Sequence, residues 1–147
     1  MQKFIPPLFV LLCLLSMLVI HLLLKSNQLI KYPLNLFGVV FIVTGLIMVI
    51  WVGRYFKKIA TQIHTFKTPV KLVTRGLFKY TRNPIYLGFT ILLFGFAALL
   101  GAWVSFIFPL LFLIVANFWY IPIEEKNMTK VFGNDYRTYR SKVRRWI

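Results

Sequence analysis

Apolar residues fall into long uncharged runs, and the polar residues between those runs are mostly basic. Phe4 to Leu24 carries no charge over 21 residues, and Leu34 to Gly53 none over 20. Pro84 to Ile123 continues for 40 residues without a charge. At about 1.5 Å per helical residue, that last run crosses a hydrocarbon core of roughly 30 Å twice. Gly101, Ala102 and Trp103 lie in its middle and suit a tight turn. The pattern therefore predicts an all-α polytopic membrane protein of about four transmembrane helices, the last two forming a hairpin. Pro6 and Pro7 near the start of the first run, a lone Lys3 and the lack of a clear small-x-small cleavage site favour a retained span over a signal peptide.

Beyond Ile123 the period changes. Phe132, Tyr136, Tyr139, Val143 and Trp146 recur in steps of four and three, with Arg137, Arg140, Lys142, Arg144 and Arg145 mostly elsewhere. This is the stripe of an amphipathic C-terminal helix, expected to lie in the headgroup layer on the cytoplasmic side. No repeat, linker or low-complexity stretch divides the chain, so residues 1–147 read as a single integral membrane domain.

Composition and charge agree with this reading. The chain is 59% hydrophobic with a mean hydropathy of +0.76, too apolar for a soluble domain of 147 residues. Eighteen Lys and Arg face three acids, Glu124, Glu125 and Asp135. The basic residues flank apolar runs, which favours membrane lipid headgroups as partners and argues against nucleic acid. Eight lie between Arg54 and Asn83 and seven after Ile123, against Lys25 and Lys31 in the first connection and none in the hairpin turn. By the positive-inside rule both rich segments are cytoplasmic, and both termini with them. The single cysteine, Cys13, excludes an intrachain disulfide, and no cluster has metal-ligand spacing. His21 and His64 are isolated.

The hairpin makes neighbours of "TRNPIY" at the start of the third span and "IPIEEKN" at the end of the fourth. Asn83 can cap the third helix and Pro84 suits its first turn. Free amides and the helix dipole there, with Arg82 beside them, make either a place for an anion or only a helix start with a topology signal. Glu124 and Glu125 sit at the membrane boundary, at the expected carboxyl end of a helix, where negative charge is disfavoured. They call for a cation: Lys126, Lys130, a base of the middle segment, or a ligand. "KTPVKLVTRGLFKY" supplies apolar Leu72 and Val73, aromatic Phe78 and Tyr80, and Gly76 for a positive φ angle.

The stretch "LVTRGLFKYTRNPIYLG", then the hydrophobic hairpin, then "EEKNMTKVFGNDYRTYRSKVRRWI", resembles the isoprenylcysteine carboxyl methyltransferase family. That family is related to the membrane phospholipid methyltransferases, and the resemblance covers about residues 60–147. It implies S-adenosyl-L-methionine as methyl donor at the cytoplasmic membrane boundary and a lipophilic small-molecule or prenylated acceptor reached from the bilayer, with no metal. Carried over by position, the resemblance assigns the cofactor to Lys71, Leu72, Val73, Phe78, Asn83, Pro84, Ile85, Tyr86 and Glu124. Phe78 stands where the family usually has tyrosine. Asn83 replaces the usual histidine, keeping hydrogen-bonding capacity but losing the ability to titrate. Tyr120 occupies the place of an arginine that, in the eukaryotic enzymes, is thought to help hold the acceptor carboxylate, which leaves Arg82 or Arg54 as substitutes. Arg82 and Tyr120 are the candidates for the catalytic region. Carboxyl O-methylation is favoured, with phospholipid amine N-methylation and a non-enzymatic membrane protein as alternatives.

Overall fold

A computed structural model describes residues 5–23, 28–58 and 71–147. Five α-helices account for most of them: α1 (Pro6–Leu23), α2 (Phe37–Lys58), α3 (Pro84–Leu100), α4 (Ile107–Val115) and α5 (Ile121–Lys142). Among the described residues there is no named strand, only an isolated antiparallel bridge between Gln28 and Ala102. The all-α polytopic membrane architecture expected from the apolar runs is the one observed. Three helical stretches have the length and composition to cross a membrane: Pro6–Leu23, Leu34–Lys58 and Trp103–Lys142, the last 40 residues long. α3, with 17 residues, is the shorter apolar partner that returns the chain between the second and third.

The turn falls where glycine permits it. Gly101 ends α3 with φ 70°, its N–H donating to the carbonyls of Ala97 and Ala98, a left-handed cap that a Cβ would strain. Its own carbonyl accepts the N–H of Leu29 at 2.7 Å and of Ile30 at 3.1 Å, which fastens the first connection to the hairpin turn.

α2 and α3 pack side by side through glycines. Gly38 and Gly45 are seven residues apart on α2, and Gly88 and Gly95 are seven apart on α3. Two helical turns separate each pair, so both glycines of a helix lie on one face. Gly38 meets Gly95, and Gly45 meets Gly88, so closely that a Cβ on any of the four would press on the facing helix. In lipid, where burying apolar side chains gains little, such small-residue seams bring backbones together and let dispersion hold the pair.

α1 rests on α3 and α4 through Val10, Cys13 and Met17, against Tyr86, Leu93, Phe112 and Ala116. Its other faces present Leu8, Leu11, Leu15, Val19 and Leu22 outward, as expected of a lipid-facing helix. Exposed aromatics flank the bundle, Tyr32 and Trp103 near one end, Tyr80 and Trp119 near the other. Rings with a polar edge favour the two membrane interfaces.

Two expectations change. The helix that follows the hairpin turn does not stop at Ile123. α4 passes through a π-helical turn at Ala116–Tyr120 directly into α5, which kinks at Gly133 (φ 50°, ψ −119°) and ends at Lys142. The amphipathic stripe is present, but Phe132, Tyr136, Tyr139 and Val143 pack on Val52, Val73 and Phe78 of the chain itself instead of facing headgroups. Trp146 lies past the helix end, packed against the bundle. The physical reason is competition: the 72–85 stretch offers the stripe an apolar surface with hydrogen-bond partners attached. Lys3, Lys25, His64 and Lys67 lie outside the described residues.

Candidate functional site

The hairpin brings the start of α3 to the start of α5. The Tyr86 hydroxyl donates to Glu124 Oε1 at 2.7 Å, joining positions 38 residues apart. Tyr120, one turn before Glu124, stacks on the Tyr86 ring with centroids 6.0 Å apart and planes 15° from parallel. Both tyrosines are buried. Three residues singled out in the sequence thus meet: Tyr86, Tyr120 and Glu124.

Glu125 faces a different way and is also buried. Its carboxylate is gripped by two arginines. Arg145 donates through Nη2 to Oε2 at 2.8 Å and through Nε to Oε1 at 3.3 Å, and Arg82 Nη1 stands 3.1 Å from Oε1. The cation expected for the glutamate pair is therefore arginine, one from the middle segment and one from the segment after α5. Because the helix continues through Ile123, the pair sits at the start of α5 and not at a helix end, so the unfavourable dipole anticipated there is absent. Two guanidiniums on one carboxylate leave the cluster with an excess positive charge. The Arg82 side chain is 9% exposed; its Nη1 is ion-paired with Glu125, and among the described residues its Nε finds no hydrogen-bond acceptor. Buried donors left unfilled are costly, and they are suited to an anionic group.

Asn83 stands at the N-cap position of α3 without capping it, since its side chain makes no cap hydrogen bond (φ −129°, ψ 56°). Its Nδ2 instead donates to the Arg145 carbonyl at 2.9 Å, which also accepts the Thr81 hydroxyl at 3.2 Å. The Asn83 N–H is taken by Thr81 Oγ1 at 3.1 Å, and the Arg82 N–H donates to the Arg144 carbonyl at 3.1 Å. Pro84, fully buried, follows at the first helical position.

Leu72, Val73, Phe78 and Ile85 collect in one apolar cluster with Val52, Tyr136 and Tyr139. The Tyr139 hydroxyl donates to the Phe78 carbonyl at 2.7 Å, tying the loop to α5. Burial, and then the neighbouring Tyr136, push the Tyr139 phenol up to about 12, with Arg82 pulling the other way. Burial followed by the Glu125 charge raises the Tyr136 phenol as well. Gly76 takes φ 64°, as its place in the loop suggests. Lys71 is exposed at the margin of this cluster. Among the described residues no three His, Cys, Asp or Glu come together as a metal site would require.

Sequence reasoning passed over Asn117 and the site role of Arg145. Arg145 Nη1 donates to Asn117 Oδ1 at 3.0 Å and to its carbonyl at 3.3 Å, and Trp146 Nε1 donates to the same Oδ1 at 3.3 Å. A signal existed: Asn117 is an amide deep in an apolar run, and polar groups inside spans are expensive unless used. It lies within the π-turn, a distortion that recurs at functional sites.

A stretch of 75 residues is 41% identical to protein-S-isoprenylcysteine O-methyltransferase of Schizosaccharomyces pombe, covering 49% of this chain and 30% of that protein. Another of 79 residues is 37% identical to methanethiol S-methyltransferase 1 of Bradyrhizobium diazoefficiens, covering 52% of the chain and 26% of the relative. An uncharacterized protein of Haemophilus influenzae is 33% identical over 63 residues, 43% of this chain and 100% of its own length. The chain thus aligns with less than a third of either named methyltransferase. The family model for phospholipid methyltransferases matches residues 34–135, which takes in α2, the glycine seam, the Tyr86–Glu124 pair and most of α5. The chain belongs to the phospholipid methyltransferase family.

Proposed function

We propose that the chain transfers a methyl group from S-adenosyl-L-methionine to a lipophilic or prenylated acceptor at the cytoplasmic face of the membrane, by carboxyl O-methylation. The observation that carries this reading is the Tyr86–Glu124 hydrogen bond, made where two spans meet beside the Arg82 Nε donor. The residues fit the donor molecule. Glu124, its carboxylate oriented by Tyr86, offers negative charge to an ammonium or sulfonium group. Arg82 offers its buried Nε donor to a carboxylate. Leu72, Val73, Phe78 and Ile85 form an apolar wall for an adenine ring. Bound there, S-adenosyl-L-methionine supplies an electrophilic methyl group on a sulfonium sulfur. Asn83, Pro84 and exposed Lys71 complete the proposed lining, and Tyr120 shapes the side from which an acceptor enters.

In-line displacement at a sulfonium asks the protein for alignment and charge placement, which fixed groups in a dry site provide. A carboxylate acceptor arrives ionised and needs no base, consistent with Asn83 in place of a titratable histidine. Cytoplasmic placement rests on the basic segment from Arg54 to Asn83 and on the one after Ile123.

The family's own description favours a second reading, amine N-methylation of a phospholipid. Glu124 would then have to accept the amine proton. The two are separated by supplying labelled methyl donor to membranes and identifying the product: a base-labile methyl ester supports the first, methylated headgroup lipid the second. The site is tested by titrating S-adenosylhomocysteine into purified protein. Binding to wild type that is lost in the double variant Glu124→Ala/Asn83→Ala supports it. Binding that survives both substitutions overturns the site, and no binding to wild type at high ligand concentration points to a non-enzymatic membrane protein.

A further inference from the structure

One side chain after α5 reaches three elements that the proposed site needs in register. The Arg145 guanidinium holds Glu125 at the start of α5 and Asn117 in the π-turn. Its backbone carbonyl receives Asn83 and Thr81 from the loop that starts α3. Trp146 adds a second hold on Asn117. These contacts span 20 to 64 residues of sequence, and none is provided by local helix geometry. Whether Tyr86 reaches Glu124 at 2.7 Å depends on how the starts of α3 and α5 are spaced. The turn that joins them does not by itself set that spacing, because it lies at the far end of α3 and is separated from α5 by α4 and the π-turn.

We propose that Arg145 is a positioning residue: it braces the start of α3 against the start of α5 and so sets the width of the methyl-donor site. The proposal rests on the reading of that site as one for S-adenosyl-L-methionine. Arg145 itself touches Glu125, Asn117 and the α3 loop, and acts on the ligand through Asn83 and Glu124. Its planar fork matters, since one edge meets a carboxylate while another nitrogen meets an amide oxygen. Lysine would keep the charge and lose the second contact.

The test is the affinity of purified, detergent-solubilised protein for S-adenosylhomocysteine, read beside tryptic cleavage after Arg144. Arg145→Met weakens binding about tenfold or more and exposes the bond after Arg144, as loss of a charge-assisted bidentate contact implies. Arg145→Lys recovers part of the affinity. Glu125→Gln weakens binding comparably, and the double variant Arg145→Met/Glu125→Gln is no weaker than the worse single, since both break one brace. Trp146→Phe removes the indole N–H and part of the ring while keeping an aromatic side chain, and serves as the mild variant, with an expected loss of about twofold to fivefold. Affinity within twofold of wild type in Arg145→Met overturns the brace, as does a lowered thermal midpoint in both Arg145→Met and Trp146→Phe with affinity unmoved. A wild-type protein that binds no S-adenosylhomocysteine overturns the site reading first, and is told apart because it fails before any substitution.

Discussion

The α2–α3 seam and the α3–α5 junction hold helices together by opposite means. Along the seam, Gly38, Gly45, Gly88 and Gly95 bring two backbones within reach of each other, with no charge involved. At the junction, Arg82 and Arg145 close on Glu125, Tyr86 on Glu124 and Tyr139 on the Phe78 carbonyl. Shape decides the first contact and directed polar bonds decide the second. A shape contact is good only for packing, because nothing in it can exchange partners. The polar junction holds groups of both signs in a dry place, the condition for recognising a ligand that carries both.

Substitutions should separate the two. The largest effect is expected at the seam: Gly45→Leu presses a side chain into the Gly88 carbonyl and the Leu92 backbone, and destabilises by more than about 3 kcal/mol. Loss of monodisperse protein in size-exclusion chromatography checks it, and a well-behaved variant of unchanged thermal midpoint would show that α2 and α3 are not so closely apposed. Glu125→Ala comes next. It leaves two guanidiniums without their carboxylate, at a cost of about 3 kcal/mol, moderated because the Arg145 side chain is 28% exposed. Thermal unfolding in detergent reads the loss, which Glu124→Ala should not match. Tyr139→Phe removes a buried hydroxyl from the Phe78 carbonyl for about 1 kcal/mol.

The smallest effect is one of pH. Tyr139 is raised in the folded chain from 10.0 to about 12. Between those values an unfolded tyrosine has released a proton that the folded one keeps, so its stabilising contribution is full below pH 10 and is lost as pH rises toward 12. A thermal midpoint that falls between pH 9.5 and 11.5, and falls less in Tyr139→Phe, is the expected result.

Much of this was legible in the residues. Uncharged runs marked the spans, and Gly101 marked the turn between α3 and the helix after it. The hairpin argument placed Tyr86 beside Glu124. The glycine spacing of seven was also present in the sequence, though nothing local says which face of α2 meets which face of α3. What could not be read depends on distant pairing. Lys126 and Lys130 were nearer candidates for the glutamates than Arg145, 20 residues away, yet they lie exposed on α5. The change of period after Ile123 was visible, but a helix that continues through a π-turn has the same composition as two separate ones. Trp146 fitted a helical stripe by number and left it in fact, because the Asn117 amide offered its indole a partner.

That π-turn has a consequence of its own. A five-residue turn of this kind takes in one residue more than an α-helical turn would, and each residue advances an α-helix by about 100°. Residues 107–115, which meet the bundle through Pro109 and Phe112, and residues 121–142, which carry both glutamates, are therefore phased independently along one helix. Removing one residue at Phe118, exposed and free of the site, would turn Glu124 away from Tyr86 while leaving Phe112 against α1 and α3. The membrane anchor and the chemistry of the same helix can drift apart or be retuned by a single insertion, with no side chain of either altered.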